Sequence, residues 1–313
     1  MIAGIFHKGS GLGNQLFRYV AIRVLALDKG YDFSMINKEG FKGASFMNLD
    51  MGKSNDIEFY IEEPAGKVIP HSDLPLREEK INCYNPEFNF IEDNTIIDGE
   101  FQSEKYFMHR KNEIREWLKV ETVSLPENLC IINFRGGEYV RVKELFLAKS
   151  YWENAMSNMR KKNADIRFCV VTDDVGTAKE FFPHLEISHN LKDDYIKIQS
   201  AHYLILSNSS FAFFPAWLNE KVRLVIAPKY WARHNVSDGY WSCESNIVDG
   251  WMYQDRHGNI QNYSECMRDL EAYKKNNQYD KFPITIEKYS LKEKIARTLP
   301  KSLKSILKKI IYR

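Results

Sequence analysis

Leu129-Cys130-Ile131-Ile132-Asn133-Phe134 is an apolar run of strand length that ends in the polar turn Arg135-Gly136-Gly137-Glu138. Residues 151–161 follow with helical spacing. A second apolar run over 166–171 closes in Thr172-Asp173-Asp174. The alternation continues: helices are predicted over 176–182, 194–200 and 210–218, and strands over 185–188, 203–206 and 224–227. Strand and helix alternating at these lengths indicates a doubly wound parallel sheet. Such sheets bind ligands beyond the carboxyl ends of their strands. Arg135 to Glu138, Thr172 to Asp174 and Ser207-Asn208-Ser209-Ser210 all fall there. Three polar loops on one rim mark a candidate site.

The chain opens with a related pattern. An apolar run, Ile2 to Phe6, leads into His7-Lys8-Gly9-Ser10-Gly11-Leu12-Gly13-Asn14-Gln15-Leu16-Phe17, and Leu16, Tyr19, Val20, Arg23 and Leu27 recur at helical spacing. Glycines let backbone N–H groups approach a ligand closely. A helix start adds unpaired donors and partial positive charge, which suit phosphate or a sugar hydroxyl. The spacing is neither that of a dinucleotide fingerprint nor that of a P-loop, and a tight turn without a ligand fits the same residues. Further on, 31–35 and 95–99 read as strands and 104–118 as a helix, whereas 36–94 reads as loops and short elements on one side of a cleft.

At 313 residues the chain exceeds one ordinary hydrophobic core, so two domains are expected. A linker over 122–127, containing Pro126, sets the expected division: 1–121, then 127–255, then a C-terminal extension over 256–313. The five cysteines show no CxxC or Cys/His spacing, so no metal is expected. Their odd number and the absence of a signal peptide lead to a cytoplasmic expectation. No apolar run reaches the roughly 18 residues that cross a bilayer.

The net charge of +2 is unevenly distributed. Residues 291–313 hold eight Lys/Arg and one Glu, a net of +7, which leaves −5 on the rest. Leu303, Ile306, Leu307, Ile310 and Ile311 fall on one helical stripe flanked by lysines. Such a helix suits the inner face of an anionic membrane, and docking onto the protein itself or another subunit fits the same stripe. The acidic body argues against nucleic acid.

Several segments together resemble the α-1,2-fucosyltransferases of glycosyltransferase family 11. They are Gly11-Leu12-Gly13-Asn14-Gln15-Leu16-Phe17, Gly99-Glu100-Phe101-Gln102-Ser103-Glu104-Lys105-Tyr106-Phe107, Cys169-Val170-Val171-Thr172-Asp173-Asp174, Ser207 to Asn219, and Ala227-Pro228-Lys229-Tyr230-Trp231. The family's His-x-Arg-Arg-Gly-Asp-Tyr signature stands here as Asn133-Phe134-Arg135-Gly136-Gly137-Glu138-Tyr139. The resemblance covers about residues 2–235 and implies an α/β fold of two Rossmann-like domains, the glycosyltransferase-B type. It also implies an inverting, metal-independent transfer of fucose from GDP-fucose, with no separate cofactor, to a galactose-type hydroxyl of a lipid-linked surface glycan.

That transfer needs the diphosphate stabilised, the acceptor hydroxyl deprotonated and the nucleotide recognised. Arg135 is the candidate for the diphosphate, since a guanidinium can bind phosphate oxygens in a fork; a surface ion pair is its other reading. Ser209 and Ser210, with Asn208 and Phe211 beside them, offer hydroxyl and backbone donors, or serve simply as helix caps. Asp173 and Asp174 suit ribose or base groups, or cap the next helix. Gly11, Gly13 and Asn133 complete the donor-side set. Asn14 suits the sugar or acceptor, or a left-handed turn. Glu138 is the candidate base, or a structural turn residue. His7 is a further acceptor-side candidate. A transferase of the same fold with another nucleotide sugar and a non-catalytic binding relative are the alternative functions.

Overall fold

Runs of Ile, Val, Phe and Cys without an alternating polar face suit parallel strands covered on both sides. A computed structural model places them that way; it describes residues 1–53, 57, 59–62, 65–68, 79–82, 84–143, 145–232, 234, 247–276, 279–281 and 286–288. The first part contains β1 (Ile2–Ile5), α1 (Leu12–Lys29), β2 (Phe33–Ile36), β3 (Phe59–Glu62), β4 (Ala65–Val68), β5 (Glu79–Asn82), β6 (Thr95–Asp98) and α2 (Lys111–Trp117). Next come β7 (Leu129–Phe134), α3 (Lys149–Lys162), β8 (Arg167–Thr172), α4 (Val175–Phe181), β9 (Glu186–Ser188), α5 (Leu191–Ser200), β10 (Tyr203–Ile205), α6 (Phe213–Trp217) and β11 (Leu224–Pro228). Finally there are β12 (Met252–Gln254), β13 (Ile260–Gln261), α7 (Tyr263–Asn276), β14 (Tyr279–Lys281) and β15 (Ile286–Lys288).

One sheet has the order β15-β3-β6-β1-β2, parallel except for β15. The other has the order β13-β12-β11-β10-β7-β8-β9, parallel except for β13. Strands β14, β4 and β5 form a small antiparallel sheet. In the second sheet the chain moves outward from β7 through β8 to β9, then returns to the other side of β7 as β10. The order therefore reverses between β7 and β10. In the first sheet it reverses between β1 and β6, because β2 lies on one side of β1 and β6 on the other. Loops part at such points and leave a crevice above the strand ends.

Period-two alternation assigns the faces of the second sheet. Cys130, Ile132 and Phe134 share a cluster with Tyr151, Trp152, Ala155 and Met159 of α3, while Ile131 belongs to a cluster with Tyr195 and Ile198 of α5. The latter cluster also takes in Leu16, Phe17 and Val20 of α1 and Phe213, Phe214 and Trp217 of α6. The Phe17 ring lies 4.5 Å from Phe213 and 4.9 Å from Phe214.

Several sequence expectations are corrected. The helix expected over 104–118 is two 3₁₀ turns, Glu104–Tyr106 and Met108–Arg110, followed by α2. Phe107 breaks the winding at φ −147 and buries its ring against Phe17 and Trp217. The helix expected over 210–218 is a 3₁₀ turn, Ser210–Ala212, and then α6; Pro215 has no N–H to give the preceding turn. Helix α5 starts earlier than expected because Asn190 caps it, accepting from the Asp193 N–H. The region over 36–94 contributes β3 to the first sheet. Leu27 of the expected α1 stripe is exposed. The C-terminal stripe, Leu303 to Ile311, lies outside the described residues, as does most of the expected extension beyond residue 276.

Gly13 governs how closely α1 meets the Ser210 turn. A Cβ on Gly13 would stand 2.2 Å from the Ser210 carbonyl carbon and 2.5 Å from the Phe211 nitrogen. Those are backbone atoms, which have little freedom to retreat. Gly11 faces open space, with φ −68 that any residue adopts. Gly13→Ala should therefore destabilise by about 1–3 kcal/mol or more. Gly11→Ala should be neutral or slightly stabilising, by up to about 1 kcal/mol. Urea unfolding midpoints of the two variants check this contrast.

Candidate functional site

The loop after β7 begins at Arg135. Its Nη1 lies 2.6 Å from Asp173 Oδ2, its Nη2 lies 3.1 Å from Glu138 Oε1, and its guanidinium carbon lies 5.2 Å from the Tyr139 ring centre. Asp173 Oδ1 accepts from the Gly136 N–H at 3.0 Å, and Asp174 Oδ2 accepts from the Gly137 N–H at 3.2 Å. Asp174 also caps α4, accepting from the N–H and hydroxyl of Thr177; these bonds hold its carboxyl below the ordinary aspartate range. The paired aspartates thus bind the backbone of the neighbouring loop. This also accounts for the two glycines. A Cβ on Gly136 would stand 2.7 Å from the Asp174 Cβ, and one on Gly137, at φ +45, would stand 2.4 Å from Asp173 Oδ2.

The loop after β10 faces it across the point where the strand order reverses. Asn133, 4% exposed, joins the two loops: its Oδ1 accepts from Ser207 Oγ at 2.8 Å, and its carbonyl accepts from the Ser207 N–H. Asn208 donates from Nδ2 to the carbonyls of Leu145 and Trp231, while its buried Oδ1 has no partner among the described residues. Ser209 Oγ accepts from the Phe211 N–H and caps the 3₁₀ turn. Phe211 packs edge-on against Tyr195 rather than facing open space. A cleft lined by Phe17, Gln102, Ser207 to Ser210, Phe213, Pro228, Trp231 and Trp251 opens beside these residues.

The first sheet supplies the opposite side. Asn14 Oδ1 accepts from Ser210 Oγ and, at 3.1 Å, from Gln102 Nε2, so one amide joins the glycine-rich segment, the loop after β6 and the loop after β10. Arg18, 5% exposed, donates to the Gly99 carbonyl at 2.7 Å, pairs with Glu100 and reaches Ser10 Oγ at 3.4 Å. Phe101 adopts φ 50, a conformation rare for a bulky residue, with its ring packed against Phe88 and Tyr106. His7 Nε2 lies 2.7 and 2.9 Å from the two Asp98 oxygens. Among the described residues no group of His, Cys, Asp or Glu is arranged to hold a metal ion, and no helix is long and apolar enough to cross a membrane.

Residues 75–255, more than half of the chain, match the model of Glycosyl transferase family 11. The chain belongs to glycosyl transferase family 11. It is also similar to an α-1,2-colitosyltransferase of Escherichia coli, with 23% identity over 278 residues that cover 76% of this chain and 95% of that protein. The protein is thus a fucosyltransferase-family glycosyltransferase of the glycosyltransferase-B type. The matched region contains Arg135, Asp173, Asp174 and the Ser207 loop, and it excludes the glycine-rich segment. Contacts of Asn14 and Gly13 with Ser210 carry that segment to the family 11 rim.

Gln102 lies within a quoted motif, but its pairing with Asn14 had no signal in the sequence. Arg18 carried a faint one, a long cationic side chain between the apolar residues Phe17 and Tyr19, four residues after Asn14. Glu104 was equally silent. It is half-buried, accepts from Trp217 Nε1 at 2.8 Å, and so ties the 99–107 segment of the enzyme to α6. Burial raises its pKa, and the Trp217 bond offsets part of that rise. Above the ordinary value of 4.5 the native state therefore keeps a proton that the unfolded chain has released, and stability falls as pH rises through that window. Glu104→Gln keeps an acceptor for Trp217 without the charge. Its stability relative to wild type should improve as pH rises from 4.5 to neutrality, whereas Glu104→Ala should lose about 1–3 kcal/mol by stranding the indole N–H. Thermal unfolding of both variants across pH checks the sign.

Proposed function

We propose that this family 11 enzyme transfers fucose from GDP-fucose to a galactose-type hydroxyl, forming an α-1,2 linkage with inversion and without a metal or separate cofactor. The observation that carries this reading is the meeting of the loops after β1, β6 and β10 at Asn14, Gln102 and Ser210, beside the β7 loop that holds Arg135. Residues 1–121 form the acceptor side, 127–255 the donor side and 256–313 an extension. Arg135 has further N–H donors besides those engaged by Asp173 and Glu138, and it exchanges these carboxylates for the donor diphosphate. Ser209, Ser210 and the orphaned Asn208 Oδ1 sit at the same cleft for the nucleotide. Asp173 and Asp174 retain lone pairs for ribose. Gly11, Gly13, Asn133 and Phe211 complete the proposed donor side without lining the cleft itself. The departing diphosphate leaves an oxocarbenium-like centre, the kind of transition state known from glycoside hydrolysis.

A second reading takes another nucleotide sugar as donor. It is favoured by the colitosyltransferase relative and by Asn133, Gly136 and Glu138, which depart from the fucosyltransferase signature. The apolar stripe over 303–311, with its flanking lysines, would hold the enzyme against the anionic inner face of the cytoplasmic membrane, near a lipid-linked acceptor. Cosedimentation with anionic vesicles should then be lost when the chain is cut before Pro300.

A thermal-shift panel of GDP-fucose, GDP-colitose, GDP-mannose and UDP-sugars tests the donor. Ligand at about 100 times its Kd adds about 2.7 kcal/mol, a shift of several degrees. A GDP-fucose shift, with affinity lowered about 10- to 100-fold in Arg135→Ala, is the expected result. A shift with GDP-colitose alone selects the second reading. No shift with any nucleotide marks a non-catalytic relative.

A further inference from the structure

We infer that His7, oriented by Asp98, is the general base that takes the proton from the acceptor hydroxyl. This rests on the glycosyl-transfer reading above and adds to it the group that activates the nucleophile. His7 follows the end of β1, and Asp98 is the last residue of β6. These neighbouring parallel strands flank the point where the first sheet reverses its order, so the pair stands where such a sheet presents a ligand.

The pairing selects one proton arrangement. An ionised carboxylate only accepts, so the imidazole nitrogen facing Asp98, Nε2, carries the hydrogen and donates it over 2.7 Å to Oδ1. In the neutral imidazole Nδ1 then keeps its lone pair. Tyr60 donates to Asp98 Oδ2 at 3.2 Å and helps fix the carboxylate. The His7 side chain is 45% exposed and that of Asp98 is 16%, which leaves the imidazole accessible and shelters the group that orients it. A side-chain hydrogen bond at an imidazole this exposed adds little to stability, so the fold has small need of it. The surroundings are nonetheless rigid. Arg18 binds both Ser10, three residues after His7, and Gly99, next to Asp98.

Glu138 is the competing carboxylate. It is 76% exposed, bonded to Arg135, and belongs to the loop assigned to the diphosphate. In the proposed step the acceptor oxygen attacks the anomeric carbon, and the bond from that carbon to the phosphate oxygen breaks. The electron pair leaves with the nucleoside diphosphate. The hydroxyl proton passes to His7 Nδ1, the imidazolium is stabilised by Asp98, and the proton is then released to water.

The test uses the full chain with GDP-fucose and methyl β-galactoside, reading GDP release alongside the donor thermal shift. His7→Gln and His7→Ala should keep the donor shift and donor KM while kcat falls about 10²- to 10⁴-fold. Added imidazole should restore part of the His7→Ala rate. Asp98→Asn should lower kcat without changing donor KM and should move the His7 tautomer in the ¹⁵N spectrum. Turnover of His7→Gln within about threefold of wild type overturns the inference and leaves the transferase reading intact. A wild-type ¹⁵N spectrum with the proton on Nδ1 overturns it without any need for turnover. Loss of the donor shift in the wild type itself overturns the transferase reading and this inference with it.

Discussion

The arrangement of the molecule depends on how closely the start of α1 meets the Ser210 turn. Gly13 has no side chain, so the peptide between Ser210 and Phe211 occupies the space where a Cβ would stand. The next residue, Asn14, then reaches Ser210 and Gln102 with one carbonyl oxygen. The aromatic cluster of Phe17, Phe107, Phe213, Phe214 and Trp217 packs directly behind that contact. Apolar burial supplies the attraction between α1 and α6, while the glycine and the amide set the distance and register.

A second constraint is electrostatic. Arg135 sits between Asp173 and Glu138, and the aspartates also receive the N–H groups of Gly136 and Gly137. The position that carries the second arginine of the fucosyltransferase signature is Gly136 here, and the Asp174 carboxylate occupies the space beside it. A second arginine at position 136 would have to push Asp174 off the cap of α4. The altered signature is thus one consistent rearrangement, with the β7 loop folded onto the β8 loop by backbone hydrogen bonds.

Much of the second sheet was legible from residues 129–228, because buried parallel strands are continuous apolar runs and two of the connecting helices, α4 and α5, start at the polar caps Asp174 and Asn190. The reading failed where local preference lost to packing. Residues 104–118 have helical periodicity, but burying Phe107 in the aromatic cluster breaks the helix into short turns. Strand β3 gave little signal because it is four residues long and takes its place only by pairing with β6.

By itself the sequence determined the strands and most helices between residues 129 and 228, that polar loops follow β7, β8 and β10, and which family the motifs resemble. These properties are local, set by side-chain periodicity, glycine content and capping groups within a few residues. Only the tertiary structure decided that Asn14 meets Ser210 across 196 positions, that Arg18 clasps Gly99, and that His7 pairs with Asp98. Each of these depends on the order in which strands join a sheet. That order comes from burying the faces of the whole chain together, and no single segment encodes it.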